Sequence, residues 1–376
     1  MRVLQINVDD LGYGGVFSLV FNMQQHMIPE VVFDYCAVER FQNTENIKRI
    51  EELGGNVYCI AYEGNKILRQ AIHFYRLKRF LDKNKYPVVH IHSDVSFKLL
   101  EFSFAAKLAG VKNIIIHSHS AGIEGKHRKT KYIMHQLCKR LLKYTAGHYY
   151  ACSREAANWM YCGDLKVMIL KNGVDTNLYK LDKKKRDEIR DKLKLSDKFI
   201  VGNVGRFAYS KNHKRLLYIF KEILAMNSNS VLLLIGNGDL MEETVKIAHA
   251  LNIFDSIVFY GNTTSVYDML QALDVFVMPS RFEGLGIAAI EAQSVGIPVI
   301  CSDGVPKAAI VNENAIRISL NCSDEYWARE ILKLGEYGIC GNTRIKETGY
   351  DINSVCRELK AFYLHIGTKN DINFKY

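Results

Sequence analysis

Short apolar, β-branched runs alternate along the whole chain with segments of helical periodicity, and this alternation limits the possible folds. Six such runs occupy the first half, at 2–8, 31–38, 56–62, 86–92, 113–119 and 148–153. Five more follow, at 199–205, 230–236, 256–261, 274–280 and 297–302. Strands separated by helices predict parallel sheets that helices cover on both faces. The runs are too many for one such sheet, so the pattern predicts two.

The most hydrophilic interval, YKLDKKKRDEIRDKLKLSDK at 179–198, falls between the two series of runs. The 376 residues of the chain are enough for two domains of about 150–200 residues each. We therefore predict an α/β fold with two Rossmann-like, doubly wound parallel-sheet domains and a linker near 170–198. Ligands of such sheets bind outside the carboxyl ends of the strands. If the two sheets face each other, the site is the cleft between them.

Several classes of protein are disfavoured by composition. The N-terminal apolar run is too short for the core of a signal peptide, and no apolar run approaches the roughly 20 residues of a transmembrane helix. The nine cysteines are scattered without a C-x-x-C, so neither a disulfide framework nor a zinc site is expected. A cytoplasmic protein is the simplest expectation.

The net charge of +10 draws mainly on two segments of the first half. Residues 66–85 and 121–150 each contain seven basic residues and one acidic residue, interleaved with apolar residues at helical spacing. Either segment alone is typical of a solvated helix face, but together they indicate a surface that meets an anionic partner. An acidic membrane attracts each nearby basic residue by about 1 kcal/mol. No nucleic-acid-binding module accompanies the charge, so nucleic acid is not an expected partner.

Two cations follow the first strand of the second series, in VGNVGRFAYSKNHKRLL at 201–217. Arg206 and Lys211 stand just before a helix, with Ser210 or Asn212 as its predicted cap. A guanidinium and an ammonium at the carboxyl end of a strand suit a diphosphate. The alternative is that Arg206 pairs with a structural carboxylate and that Lys211 is simply exposed.

The segment SRFEGLGIAAIEAQSVGIP at 280–298 contains two glutamates, Glu283 and Glu291. A continuous helix would separate them by about 12 Å along its axis and about 80° around it, so they would not form a catalytic pair on one face. They are better suited to hold two hydroxyl-rich groups on either side of a phosphate bridge. This layout is that of a nucleotide sugar.

The glycines of the same segment predict a loop that leads into a helix beginning near Ile287. The free amides of Leu285, Gly286 and Ile287 would form an anion site at the helix N-terminus, and glycine, as at Gly284, lets a phosphate come close. The chain contains no D-x-D, so a metal held by carboxylates on the diphosphate is not expected. The two cations would then neutralise the charge that develops on the leaving group.

The first domain offers glycines and histidines at predicted strand ends. DDLGYGGVF at 9–17 fails the dinucleotide fingerprint at Phe17, which disfavours a dehydrogenase. Its glycines still predict a loop that a phosphate could approach. The motifs HIHSD at 90–94 and HSHS at 117–120 end two strands on the same edge. One such histidine would usually be structural, and metal binding lacks a third ligand of evident spacing.

Taken together, these motifs resemble the retaining glycosyltransferases of the group one class (family four), which have the GT-B fold. The resemblance covers nearly the whole chain and is strongest in the E-x7-E arrangement at 279–303. The segments at 14–15, 117–119, 171–175, 205–212 and 260–280 match in the same order. Members that assemble bacterial exopolysaccharide and capsule are the most similar.

The resemblance implies roles for particular residues and a division of the chain. Catalytic roles fall to Arg206, Lys211, Glu283 and His119, with His117 the less favoured histidine. Donor-binding roles fall to Gly14, Gly15, Gly236, Gly261, Gly284, Leu285, Gly286, Ile287 and Glu291, of which Glu291 would bind the ribose. An acceptor domain would span 1–172, a donor domain 173–350, and 351–376 would form a helix that returns to the first domain.

The activity so implied is a retaining, metal-independent transfer of a hexose-type sugar from a nucleotide-diphosphate sugar, with UDP the expected nucleotide, and without a cofactor. The acceptor would be a glycan or a polyprenyl-linked glycan, and the enzyme would be cytoplasmic or peripheral on the inner face of the plasma membrane. Two alternatives remain open. One is a nucleotide-sugar epimerase of the same architecture, and the other is a non-catalytic assembly subunit.

Overall fold

The chain folds into two compact units, each built around one parallel sheet. The computed structural model describes residues 1–8, 12, 14–39, 43–65, 68–163, 165–340 and 343–368. The first unit comprises Met1–Ile123, His127–Gly173 and the chain from Ile352 onward. The second comprises Glu124–Lys126 and Val174–Asp351.

The first unit contains a sheet of seven strands within the described ranges. Its strands are β1 (Arg2–Ile6), β2 (Val32–Ala37), β3 (Val57–Cys59), β4 (Val88–Ser93), β5 (Asn113–Ser118), β6 (His148–Ala151) and β7 (Val167–Ile169). Its α-helices are α1 (Gly15–Gln25), α2 (Thr44–Glu52), α3 (Arg69–Lys83), α4 (Ser96–Leu108), α5 (Arg128–Cys138), α6 (Arg154–Met160) and α13 (Ile352–Thr368), and a 3-10 helix covers Lys139–Tyr144. The spatial order is β3-β2-β1-β4-β5-β6-β7, and neighbouring strands are parallel.

The second unit repeats this plan with six strands. Its strands are β8 (Phe199–Val204), β9 (Ser230–Ile235), β10 (Ile257–Gly261), β11 (Val275–Met278), β12 (Val299–Ser302) and β13 (Ala315–Ile318). Its α-helices are α7 (Lys183–Leu193), α8 (His213–Met226), α9 (Met241–Ala250), α10 (Val266–Gln271), α11 (Ile287–Val295) and α12 (Asp324–Glu336), with 3-10 helices at Phe254–Ser256 and Lys307–Ala309. The order is β10-β9-β8-β11-β12-β13, again parallel.

Strand order in both sheets reverses beside the first strand of the unit, between β1 and β4 and between β8 and β11. Ligands of doubly wound sheets bind at such switch points, outside the carboxyl ends of the strands. The loops that follow these four strands are therefore the places where functional side chains are expected.

The structure has a strand at each position that the apolar runs predict, and two further strands, β7 and β13. The sequence analysis missed both. They are edge strands of three and four residues, and each has residues that are not buried. At three and four residues, both are shorter than the usual strand of about five or six, so they give little signal in the sequence.

The boundary between the two units, at Gly173 and Val174, falls within the predicted linker near 170–198, but Lys183–Leu193 of that interval form α7. Two arginines of α7, Arg186 and Arg190, form ion pairs with Asp274 just before β11. The charges that made this interval look like a linker hold the helix to the second unit instead.

Each unit has its own hydrophobic core. In the second unit α8 buries Leu216, Ile219, Phe220 and Ile223, which share one face of the helix, and Leu224 packs against the same core partly buried. In the first unit, α13 buries Ile352, Val355, Cys356, Leu359 and Tyr363 in the core formed with residues of β1, α1 and β2. The last helix of the chain is therefore part of the first core.

Candidate active site

In the second unit, the loops after β8 and β11 are tied together at the switch point. The Arg281 amide donates a hydrogen bond to the Ser210 carbonyl at 2.6 Å. The side-chain amide of Asn212 donates to the Pro279 carbonyl at 3.1 Å. These bonds fix the loop that carries Lys211 against the loop that carries Glu283. Asn212, one of the two predicted caps, occupies the N-cap position of α8, but its side chain makes no capping hydrogen bond to the helix.

Lys211 and Glu283 form an ion pair at this position. The Lys211 ammonium donates to Oε1 of Glu283 at 2.7 Å, and the Ser280 hydroxyl donates to the same oxygen at 2.6 Å. Both donors converge on Oε1, and Oε2 accepts no hydrogen bond from the described residues. Glu283 is therefore oriented by two neighbours while one carboxylate oxygen remains available. Lys211 is not simply exposed, as the alternative reading had it, since only 20% of its side chain is accessible.

Arg206 lies at the end of β8 and is exposed. It forms no hydrogen bond or ion pair with the described residues, so pairing with a structural carboxylate is not observed. The loop after β9 passes so close that a Cβ at Gly238 would lie 2.9 Å from Cγ of Arg206. A Cβ at Gly236, where φ is +134°, would lie 2.2 Å from the Gly205 carbonyl oxygen. Backbone packing thus explains the glycine at position 236. The Gly236 amide also donates a hydrogen bond to the Gly261 carbonyl at 2.8 Å.

Helix α11 begins at Ile287, as the glycines predict. Gly286 precedes it with φ +90°, a conformation that favours glycine. The amides of Leu285, Gly286 and Ile287 donate no hydrogen bond within the described ranges, so the N-terminus of this nine-residue helix presents unsatisfied donors. Such a terminus favours an anion.

Glu291 lies on the second turn of α11 and contacts Tyr179. Burial raises the pKa of the Glu291 carboxyl to about 7, and a hydrogen bond from the Tyr179 hydroxyl opposes the rise. Tyr179 is itself buried, and its carbonyl accepts from the Ser294 hydroxyl at 2.7 Å. The sequence analysis did not name Tyr179, which lies in the hydrophilic interval.

In the first unit, Gly14 and Gly15 lie at the N-terminus of α1, after β1. Gly14 is extended, with φ −70°, and a Cβ at Gly15 would meet nothing within 4 Å. Neighbouring atoms therefore do not require glycine at position 15. Of the predicted glycine loop, Asp9, Asp10, Leu11 and Tyr13 lie outside the described residues.

The four histidines of the two predicted strand ends gather into one cluster, formed by His90, His92, His117 and His119. In the paired register, His92 of β4 lies beside His117 of β5. The first three rings are fully buried, and His119 is partly exposed. Nδ1 of His92 lies 2.8 Å from Nε2 of His119, and Nε2 of His90 lies 3.2 Å from Nδ1 of His117.

The histidine cluster also supplies the third ligand that the sequence spacing did not show. Possible ligand atoms of His90, His92 and His117 all lie within 4.8 Å of one another. The nitrogens of His90 and His92 already have hydrogen-bond partners, however: Nδ1 of His90 bonds the Tyr363 hydroxyl at 2.6 Å and Nε2 of His92 the Gln5 amide oxygen at 2.8 Å. The residues present are therefore better accounted for as a hydrogen-bonded network than as a metal centre.

Burial makes the histidine cluster neutral at physiological pH. It lowers the pKa of His90, His92 and His117 well below the ordinary value of 6.5, and neighbouring imidazoles add to the effect. It lowers the pKa of His119 to about 3. Each ring then has one N–H and one bare nitrogen.

Comparison with known proteins places this geometry in a family. Residues 14–178 match the model described as Glycosyltransferase Family 4, and residues 185–344 match Glycosyl transferases group 1. EpsF of Bacillus subtilis (strain 168) is 28% identical over 383 residues, which cover 99% of this chain and 98% of EpsF. A second relative is the UDP-Gal:alpha-D-GlcNAc-diphosphoundecaprenol alpha-1,3-galactosyltransferase of Escherichia coli. It is 29% identical over 250 residues, which cover 63% of this chain and 62% of the relative.

Among solved structures, Anabaena Alr3699/HepE in complex with UDP-glucose superposes with a TM-score of 0.74 at 16% identity, covering 98% of this chain and 97% of HepE. The two parallel-sheet domains are those of the GT-B fold. The chain belongs to the group 1 glycosyltransferases and is a sugar-transferring enzyme. Within the described ranges, none of the helices combines the length and apolarity needed to cross a bilayer.

Proposed function

We propose that this enzyme transfers a hexose-type sugar from a nucleoside-diphosphate sugar, with UDP as the nucleotide, to a glycan or polyprenyl-linked acceptor in bacterial cell-surface polysaccharide synthesis. The observation that carries the proposal is the grouping at the β8–β11 switch point. An oriented carboxylate, Glu283, keeps one oxygen available beside Lys211, and the exposed Arg206 follows the neighbouring strand end. A diphosphate and a sugar hydroxyl would satisfy this set.

In the proposed mechanism, configuration is retained by front-face transfer. The departing diphosphate oxygen accepts the proton of the acceptor hydroxyl while the acceptor oxygen bonds to the anomeric carbon. Arg206, Lys211 and the amides before α11 stabilise the charge on the leaving group, which is the role a metal fills elsewhere. Lys211 gives one of its three N–H groups to Glu283 and keeps two for phosphate oxygens.

The names of relatives support the proposed donor and acceptor. The E. coli relative is named for a UDP-sugar donor and a diphosphoundecaprenol acceptor, and a solved structure of the same fold holds UDP-glucose. An acceptor on a polyprenyl carrier would require the enzyme to reach a membrane surface.

Helix α5 and the following 3-10 helix support such membrane contact. Ile133, Leu137, Leu141 and Tyr144 are 48–62% exposed. They lie among the basic residues of the 121–150 segment, and the side chain of Leu142 is buried. A helix with exposed apolar and basic side chains suits the interface of an anionic bilayer. We therefore propose peripheral association through this surface, the α5 surface.

Chromatography of a UDP-hexose, incubated with and without polyprenyl-linked acceptor, tests the proposal. We expect UDP release and a glycosylated acceptor only when both substrates are present. Conversion of the donor sugar without acceptor would favour an epimerase. Stabilisation by UDP without turnover on any acceptor of a broad panel would favour an assembly subunit; a ligand at 100 times its Kd stabilises a protein by about 2.7 kcal/mol.

A further inference from the structure

The histidine cluster contains a buried residue that the sequence analysis did not single out, Gln5 of β1. Its side-chain oxygen lies 2.8 Å from Nε2 of His92, and its side-chain nitrogen lies 3.5 Å from the Tyr363 hydroxyl oxygen. Gln5 is 1% exposed. Because an amide oxygen only accepts hydrogen bonds, His92 must carry its proton on Nε2.

The position of the proton on His92 determines which nitrogen of His119 carries a proton. With Nε2 protonated, Nδ1 of neutral His92 is a bare acceptor. Nε2 of His119 lies 2.8 Å from it and must be the donor, so His119 carries its proton on Nε2. Nδ1 of His119 is then an acceptor. It has no partner among the described residues, and His119 is the partly exposed member of the cluster.

A second branch of the network runs in a different direction. Nδ1 of His90 shares a hydrogen bond with the Tyr363 hydroxyl at 2.6 Å, and Nε2 of His90 shares one with Nδ1 of His117 at 3.2 Å. This branch ends at Nε2 of His117, a buried nitrogen without a partner in the described residues. It does not pass through His92 or His119, but it meets the first branch at Gln5, whose side-chain nitrogen faces the Tyr363 hydroxyl.

We propose that Gln5 is a positioning residue: through His92, it places the proton of His119 on Nε2 and leaves Nδ1 as the hydrogen-bond acceptor for a sugar hydroxyl. This inference rests on the function proposed above, in which His119 lies at the reacting sugar. The wrong tautomer of a site histidine lowers the rate, as in the serine-protease triad. A buried glutamine that acts through His92 would thus control which partner His119 can bind.

Nitrogen-15 NMR of histidine-labelled enzyme tests the tautomers directly, without substrate. In the wild type we expect both His92 and His119 to be protonated on Nε2 and bare on Nδ1. In Gln5→Leu the acceptor is lost, so we expect the His119 signals to show a mixture of tautomers. The control Gln24→Leu removes another buried glutamine of the first unit, one that bonds Tyr35 and not the histidine cluster, and should leave His119 unchanged.

A wild-type His119 protonated on Nδ1, which would follow from a reversed Gln5 amide, would overturn the proposal even if Gln5→Leu did not fold. An unchanged His119 tautomer in folded Gln5→Leu would overturn it as well.

Kinetics separates this proposal from the proposed function. Gln5→Leu should lower kcat by a factor of about 2–10, the range for one neutral hydrogen bond, with a smaller change in donor KM. His119→Ala with unchanged kcat would overturn the sugar contact, and with it this inference, but not the glycosyl transfer. If His119→Ala lowers kcat and Gln5→Leu does not, only the positioning role of Gln5 is overturned.

Discussion

Arg206 is the single side chain on which the proposed chemistry depends most. It is exposed and without a partner in the described residues, so its removal should cost little stability. We expect Arg206→Ala to lower kcat by about 10²–10³-fold, the scale for losing one preorganised electrostatic stabiliser. Steady-state kinetics with UDP-hexose measures the loss, and thermal unfolding checks the fold.

The control for Arg206 is Arg329→Ala, which removes an exposed arginine of α12 in the same unit. Near-normal turnover in Arg206→Ala would contradict the assignment of the leaving-group charge to this residue.

Glu291 should make stability depend on pH. Its folded-state pKa of about 7 lies above the ordinary 4.5, so the native state binds this proton more tightly than the unfolded chain. The stability that the protonated group contributes is complete below about pH 4.5 and is lost as pH rises through 7. Glu291→Gln is neutral at every pH, so its free energy of unfolding should rise relative to wild type by about 1–3 kcal/mol between pH 4.5 and 8.

Urea denaturation at several pH values measures this difference, with Glu347→Gln as the exposed control in the same unit. A constant difference across the range would show that the Glu291 carboxyl is not held protonated by its surroundings.

The N-terminus of α11 is the element that should bind the diphosphate. Ala at 286 would carry the strain of a left-handed backbone, about 1–2 kcal/mol, and its Cβ would lie 3.0 Å from Cγ1 of Val305. Gly338 also has a positive φ, +67°, but a Cβ there would meet nothing within 4 Å. We expect Gly286→Ala to weaken UDP binding at least tenfold and Gly338→Ala to leave it unchanged, as measured by titration calorimetry.

Equal UDP affinity in Gly286→Ala and Gly338→Ala would mean that the diphosphate does not use this helix N-terminus. Both variants carry backbone strain, and Gly286→Ala adds the close contact with Val305, so thermal unfolding measured beside calorimetry separates folding from binding.

The α5 surface should bind anionic lipid. Leu137 is 62% exposed, and Asp at this position would oppose both its apolar and its basic surroundings. We expect Leu137→Asp to reduce sedimentation with phosphatidylglycerol vesicles several-fold, and wild-type binding to weaken as salt screens the charges. Tyr337→Asp places the same charge at a residue of the second unit that is 72% exposed, and should bind as wild type does. Binding that ignores salt would contradict the electrostatic part of this proposal.

At the scale of the whole molecule, the first unit should depend on helix α13 for its stability. Each large side chain that α13 buries contributes about 1.5–3 kcal/mol, whereas a domain is stable by only about 5–15 kcal/mol. Removing residues 352–376 should therefore unfold the first unit and expose its core to a dye such as ANS. A chain ended after Thr368 keeps α13 and is the control. If the variant that lacks residues 352–376 unfolded in the same way as the full-length protein, the first core would be complete without this helix.

Much of this architecture could be predicted from local patterns. Strand positions and the start of α11 follow from apolar runs and glycines, because burial on both faces of a parallel strand demands a continuous apolar run. The strands β7 and β13 were missed because they are only three and four residues long. Helix α7 escaped because its ion pairs to Asp274 join residues that are far apart in the sequence.

The sequence by itself determined which chemical groups follow the strand ends: Arg206, Lys211, Glu283 and four histidines. Only the tertiary structure decided their partners, since hydrogen bonds form between segments that sequence separation does not bring together. It paired Lys211 with Glu283 and left Arg206 without a partner among the described residues. It also placed Gln5 against His92, 87 positions away, because β1 and β4 are neighbours in the sheet. Strand order is a property of the whole fold, and the proton positions in the histidine cluster follow from it.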